Sequence, residues 1–312
     1  MVRKRTILFI TKDLSKHVER SSYYLVRELQ KRANVIFWHD HGLLPDILAK
    51  IQVRPDFILM NDLHPTYCPF IRRINETDIP VGIFMHDLHY KKQHRKRFIE
   101  KGNVSVIFAH YRDAFLKWYP EFQDRFIWFP HHVDTSIFKD YKLGKSTDYL
   151  MLGALFPSFY PLRASMYNQL KATTNFKYYE HPGYKRIGKG HLAGEAYAME
   201  LNRAKMFFTC DSIYHYPVLK YFEVPACNSL LLASSSKELT DLGFVDGKTF
   251  VAVHEQNVLQ KASYYLKHEK ERLQIARAGH QMVIANHSTS KRADELMEHI
   301  EKVIIDKEKT RR

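Results

Sequence analysis

Cysteine is scarce in this chain of 312 residues: Cys68, Cys210 and Cys227 stand far apart, with no C-x-x-C spacing. That excludes a disulfide framework and a cysteine-built zinc site, and it fits a reducing cytoplasm. Long apolar runs are missing as well, since none approaches the roughly 18–20 residues that a membrane span needs. The opening MVRKRTILFITKDL starts basic, but its apolar run is only Ile7 to Ile10. It reads as a first buried strand and not as a signal peptide. No internal repeat or low-complexity block breaks the pattern.

Acidic residues are also in short supply, with 34 Asp and Glu against 48 Lys and Arg, a formal charge of +14. Such a balance speaks to partners and not to fold. Nucleic acid, an anionic membrane surface, phosphorylated substrates and a merely basic solvated surface all satisfy it. With 45% hydrophobic and 13% aromatic residues, the chain has enough apolar material for two domains.

Short β-rich runs alternate with helical patterns throughout. RTILFI (5–10), ANVIFW (33–38), DFILMN (56–61), IPVGIFMH (79–86), VSVIFAH (104–110) and RFIWFP (125–130) form a first series. A helix is expected over His17–Arg32 between the first two. DYLMLG (148–153), FKYY (176–179), KMFFTC (205–210), SLLLA (229–233) and TFVAV (249–253) form a second series. Continuous apolar runs of this length suit strands buried on both faces, and their alternation with helices implies parallel sheets. The fold expected is α/β, two Rossmann-like domains over 1–135 and 136–312 facing across a cleft. The polar stretch 134–147 is the expected linker. The end of the chain is helical, with its last residues, DKEKTRR, frayed.

Ligands in open parallel sheets bind beyond the carboxyl ends of the strands. In the first series those ends carry His39-Asp40-His41, Asn61-Asp62 with His64, His86-Asp87 with His89, His110, and His131-His132 with Asp134. Histidine and aspartate at converging strand tips suit a divalent ion, so a metallohydrolase is one reading. No H-E-x-x-H spacing and no D-x-D pair supports it, and no metal site is expected.

The second series offers phosphate and nucleoside chemistry. Gly153 ends a strand and Arg163 follows ten residues later, where it can clamp a phosphate with parallel hydrogen bonds. Asp211 ends another strand, and Pro217 marks the start of a helix carrying Lys220 and Glu223, three residues apart. A helix N-terminus with a lysine favours a diphosphate, and a carboxylate one turn on can accept both hydroxyls of a ribose. The plain alternative is an ion pair between Lys220 and Glu223.

The order of these motifs resembles the GT-B glycosyltransferases, in particular the retaining family-4 type and the spore-maturation (CgeB-like) proteins with family-1-type transferase domains. WFPHHVDTSIF (128–138) is similar to the interdomain signature P-N-G-V-D-x-x-x-F, and DYLMLGALFPSFYPLR (148–163) to the first strand and loop of the donor domain. FEVPACNSLLLA (222–233) resembles F-E-x-x-A-C-G-x-x-L-L. ELTDLGFVDGKTFVAV and YYLKHEKERLQIARAGHQMVIANHSTSKRADEL resemble the family's ending. The resemblance covers most of 125–300 and is loose before about residue 75.

It implies a transferase of the Leloir type, in which the C-terminal domain holds a UDP- or GDP-type nucleotide sugar and the N-terminal domain the acceptor, with no cofactor. Glu223 then matches the ribose-binding carboxylate, and Arg163 and Lys220 the cations on the leaving diphosphate. Gly153, Asp211 and His215 complete the donor side. His86, with Asp87, falls where related enzymes present a residue near the reacting sugar, and Asp62, His64, His110, His131 and His132 line the acceptor side. Three departures stand out. His215 replaces a glutamate eight positions before Glu223. The glycine-rich first loop is missing, since KHVERSSYY follows ITKDLS. His131-His132 and Asn228 replace Asn-Gly and glycine.

YKKQHRKR (90–97) directly follows His86-Asp87, and its run Lys91–Arg97 would recruit an anionic acceptor or an anionic bilayer. Lys185-Arg186, Lys189 and the terminal KEKTRR would extend that surface. A nucleic-acid-binding protein and a non-catalytic GT-B-like protein are the competing readings. A nucleic-acid binder would show salt-steep affinity, although the aromatic interleaving of a stacking platform is missing.

Overall fold

Runs such as TILFI and VGIFM are buried along their whole length, as strands covered on both faces must be. The computed structural model describes residues 3–183, 186–188 and 190–310. Lys185, Lys189, Arg311 and Arg312, expected to add to a basic surface, lie outside the described residues. The chain divides into two units, one made of residues up to 16, 20–130 and from 289 on, the other of 17–19 and 131–288.

The first unit contains β1 (Thr6–Ile10), β2 (Asn34–Trp38), β3 (Gly42–Leu43), β4 (Phe57–Met60), β5 (Ile71–Arg72), β6 (Val81–Met85), β7 (Val106–Ala109) and β8 (Phe126–Trp128). Its main sheet has the order β2-β1-β4-β6-β7-β8, parallel throughout, while β3 and β5 pair separately. Its helices are α1 (Ser21–Arg32), α2 (Leu44–Lys50), α3 (Lys92–Lys101) and α4 (Arg112–Trp118). Helix α1 begins at Ser21 and not at His17, because His17–Glu19 pack with the second unit.

The second unit contains β9 (Thr147–Leu152), β10 (Phe176–Tyr179), β11 (Ala204–Thr209), β12 (Leu230–Ala233) and β13 (Val251–Ala252), in the parallel order β10-β9-β11-β12-β13. Around them run α5 (Pro161–Leu170), α6 (Gly194–Arg203), α7 (Lys220–Ala226), α8 (Lys237–Asp241), α9 (Val258–Lys267) and α10 (Glu269–His287).

Three expectations are corrected here. The boundary falls at 130/131 and not at 135/136. The stretch 134–147 is no free linker, because Asn202 and Asn228 strap it to the second unit. The Asn202 side chain accepts from Tyr141 N–H (2.7 Å) and donates to Lys139 O (2.8 Å), and Asn228 Nδ2 donates to Asp140 (2.9 Å). Finally, α11 (Thr289–Thr310) returns to the first unit, and its last turns are helical and not frayed. Ala293, Leu296, Ile300 and Ile304 recur on one face and are buried with Leu25, Val26 and Leu29 of α1. Each of the leucine, isoleucine and valine side chains among them contributes up to about 1.5–3 kcal/mol. Arg5 adds a two-pronged bond to Glu301 (2.8 and 2.6 Å) and Arg32 another to Asp294 (2.6 and 3.0 Å).

In each sheet the first strand sits inside the order, so later strands add on its other side. That reversal opens a crevice at the carboxyl ends, between β1 and β4 in the first unit and between β9 and β11 in the second.

Candidate functional site

In the first unit the crevice is filled by a hydrogen-bonded chain. Phe129 O lies 2.7 Å from His110 Nδ1, which therefore donates, leaving Nε2 to accept from His86 Nδ1 at 2.8 Å. His86 Nε2 meets the Asn61 side-chain amide at 3.0 Å. The facing atom is Asn61 Oδ1, an amide oxygen that accepts. Asn61 continues to Ser22 Oγ (3.1 Å) and Thr11 Oγ1 (3.0 Å). Both ring nitrogens of His86 are thus engaged inside the unit, so the expected contact of a His86 nitrogen with the reacting sugar is not available in this arrangement. Asp87 is half-buried, and its backbone carbonyl accepts from Tyr90 N–H at 3.0 Å.

Asp62 was expected to line the acceptor side; it is instead fully buried and serves as an anchor. Its carboxylate accepts from His86 N–H (3.0 Å), His64 N–H (3.3 Å) and Leu63 N–H, and lies 2.7 Å from Arg95 Nη2. Burial pushes this carboxyl up, but Arg95, then His86 and the two backbone donors, hold it below the ordinary aspartate range. His110, His131 and His132 are likewise shielded from solvent and offer no surface to a free acceptor. His64 stays half-exposed, its ring 4.3 Å from that of Tyr90, with Nδ1 accepting from Thr66 N–H (3.2 Å). Burial lowers its pKa, so it is neutral at pH 7 with Nε2–H free to donate.

The basic run Lys91–Arg97 is partly spent. Arg95 is internal, and Lys96 pairs with Glu121 at 2.5 Å. Lys92 lies 4.7 Å from the centre of the Trp118 ring. Lys91, Lys92 and Arg97 remain exposed, a smaller positive patch than the sequence implied.

In the second unit, Arg163 occupies the crevice. Its guanidinium donates to Ala154 O (3.2 Å) beyond β9, and to Thr209 Oγ1 (3.3 Å) and Cys210 O (3.2 Å) at the end of β11. It also stacks 3.9 Å from the centre of the Tyr160 ring. Gly153 has a clear role: at φ +145°, a Cβ there would sit 3.0 Å from Arg163 Nη1. The missing side chain makes room for the guanidinium and not, as expected, for a ligand directly. Arg163 is 3% exposed, yet no carboxylate pairs with it among the described residues.

Lys220 and Glu223 follow on α7. The helix starts at Lys220, three residues after Pro217, and runs for seven residues only. Its position is set by α10, where Gly279 lets the helix approach Thr249 O and Pro225, and where His280 Nδ1 donates to Pro225 O (3.2 Å) and Ala226 O (3.0 Å). Beyond its end, Asn228 takes φ +53°, a left-handed position that glycine or asparagine fills. That explains asparagine where the signature has glycine.

Lys220 and Glu223 close no ion pair with each other, which removes the plain helix-pair reading. Both are partly exposed at the surface but closely surrounded by protein. Burial, and then Arg163, lowers Lys220 to about 8, with Glu223 opposing. Burial raises Glu223 to about 7, against the pull of Lys220. The buried Tyr197 hydroxyl faces Glu223 without reaching hydrogen-bond geometry. His181 stands near both cations; burial, then Lys220 and Arg163, lower it to about 4, so it is neutral. Sequence reasoning missed Tyr160, Tyr197 and His181. Tyr160 alone left a signal, three residues before Arg163.

Asp211, 7% exposed, receives the Ser234 hydroxyl and holds His215 Nδ1 at 2.9 Å. His215 is exposed and adopts φ +56°, a conformation that costs a non-glycine residue about 1–3 kcal/mol. The pairing fixes its tautomer and leaves Nε2 facing outward.

Among the described residues, no group of three or more His, Cys, Asp or Glu side chains converges as metal ligands, and no helix is long and apolar enough to cross a membrane.

Residues 162–298 match the family model described as "Glycosyl transferase-like". No curated protein matches the sequence. Among solved structures, a glycosyltransferase from Rickettsia africae is 12% identical, with 97% of this chain and 99% of that one covered and a TM-score of 0.64. HepE of Anabaena, in complex with UDP and glucose, is 10% identical, with 96% and 100% covered and a TM-score of 0.62. Sucrose-phosphate synthase of Thermosynechococcus elongatus is 11% identical, with 97% and 100% covered and a TM-score of 0.67. The chain carries the α/β fold of these GT-B glycosyltransferases, two parallel sheets with a C-terminal helix.

Proposed function

We propose that the chain is a glycosyltransferase that takes a nucleotide-diphosphate sugar in its second unit and transfers the sugar to an anionic acceptor. One observation carries this reading: Arg163, buried without a carboxylate partner among the described residues, stands close enough to Lys220 to disfavour the lysine's charge. A buried cation without an anionic partner is costly. A diphosphate at the crevice between β9 and β11 would satisfy both cations, and they would act most strongly as the leaving group gains charge. Glu223, free of any ion pair, would accept the ribose hydroxyls, and His215 Nε2 would contact the sugar.

The UDP in the HepE complex supports UDP as the first nucleotide to test. The likeness of FEVPACNSLLLA to the family-4 and CgeB-like signature supports transfer with retention and without a metal ion. Three buried free thiols accord with a cytoplasmic location, and the exposed Lys91, Lys92 and Arg97 with peripheral contact to an anionic surface.

Thermal denaturation with UDP, GDP and their sugar conjugates tests the reading. One of them raises Tm in the native chain, and Glu223→Ala removes the shift. No shift with any of them at millimolar concentration removes the proposal.

A further inference from the structure

The first unit holds a cavity of about 540 Å³ beside β1, between α1 and the end of β2. We propose that it binds an anionic pyranose, a sugar ring carrying a phosphate or a carboxylate. Its size falls within the range of small-molecule sites and leaves room for one ring and its substituent.

The floor is apolar, formed by Phe9, Val26 and Phe37. The Phe37 ring lies nearly parallel to that of His39, with 5.9 Å between centres and 18° between planes. Together they make a flat wall against which the C–H face of a pyranose buries apolar surface. The rim is cationic. Arg27 is exposed and has no partner among the described residues, and Lys12 Nζ makes only a long contact of 3.4 Å to His39 O. Asp13, the one carboxylate in the lining, turns back to Ser15 N–H at 3.0 Å. The excess charge favours an anion in a partly enclosed site.

His39 donates through Nδ1 to Thr11 O at 2.7 Å, so its Nε2 is available to a sugar hydroxyl. At the inner end stand Thr11 and Ser22, whose hydroxyls meet Asn61 and, through it, His86. The cavity is therefore the outer mouth of the hydrogen-bonded chain in the first unit. A dinucleotide fits poorly. TKDLS after β1 has no glycine, and its side chains block the close backbone approach that a pyrophosphate requires. That the bound sugar is the acceptor rests on the transferase reading; the binding itself does not.

Titration calorimetry on the full chain tests the site, with glucose 6-phosphate, glucuronate, glucose, inorganic phosphate and AMP as probes. The two anionic sugars bind, glucose binds at least about tenfold more weakly, and Arg27→Ala weakens the anionic sugars by about tenfold, the effect of one charge-assisted hydrogen bond. An unchanged Tm shows that Arg27→Ala remains folded. The proposal is overturned if neither anionic sugar binds at millimolar concentration, if Arg27→Ala binds them as well as the native chain, or if phosphate or AMP binds as tightly. UDP titrated separately keeps the two readings apart: binding of UDP without sugar anions removes only this site, and the reverse removes only the nucleotide-sugar reading.

Discussion

Asp62 and Arg95 form an ion pair at 2.7 Å with both side chains fully shielded from water. Breaking one partner of such a pair leaves an uncompensated charge, so Arg95→Met is expected to cost about 3–5 kcal/mol in urea unfolding. The Asp62 carboxyl is held below its ordinary value, so its contribution is complete above the unfolded pKa of about 3.9 and is lost as pH falls through the lower folded value. Asp62→Asn should remove that part of the acid dependence. An identical acid limb in the variant counts against the assignment.

Lys220 and Glu223 are shifted toward neutrality, and both shifts disfavour the folded state near pH 7. Glu223, raised from 4.5 to about 7, loses its contribution as pH rises across that interval. Lys220, lowered from 10.5 to about 8, contributes fully only above the upper value and loses it as pH falls to the lower. Glu223→Gln should therefore stabilise the unliganded chain at pH 8 by on the order of 1 kcal/mol, and by less at pH 5. Equal gains at both pH values would contradict this.

Nucleotide affinity should weaken as pH rises past about 8, where Lys220 loses its charge. Calorimetry in buffers of different ionisation enthalpy should register proton uptake on UDP binding at pH 8.5, and Lys220→Met should abolish it.

Gly153→Ala places a methyl group where the Arg163 guanidinium lies, at a backbone angle unsuited to alanine. A stability loss of about 1–3 kcal/mol is expected, with a fall in UDP affinity that Arg163→Lys reproduces. Retained affinity in both variants would separate Arg163 from the ligand.

His215→Gly relieves a left-handed residue and should stabilise the fold by about 1 kcal/mol. UDP affinity should be unchanged while affinity for the matching UDP-sugar falls, because the imidazole is assigned to the sugar. A parallel loss of both would move its contact to the nucleotide.

Much of the architecture was legible because its strands are continuous apolar runs between turn residues. FKYY is found with both ends as expected, bounded by Asn175 at φ +59°. TFVAV shrinks to Val251–Ala252, since only those residues find a neighbour on β12. Gly153, Arg163, Lys220 and Glu223 were legible because strand ends and helix spacing are local. The pairing of Asp62 with Arg95 was not, since Arg95 is hidden in a charge run and its partner lies on another element. Tyr197 read as one more apolar-face residue of α6, and its approach to Glu223 is set by tertiary packing. The destination of α11 was equally hidden, because an amphipathic stripe states that a helix is covered without saying by what.

The return of α11 makes the first unit discontinuous in sequence, whereas nearly all of the second lies within one stretch, 131–288. On a ribosome working from the N-terminus, the six-stranded sheet emerges long before the helix that covers one of its faces. Residues 131–288 can collapse as soon as they appear, but the earlier-made half must wait, its apolar groove open, until α11 has been synthesised. Translation order and completion order are thus reversed for the half that is made first.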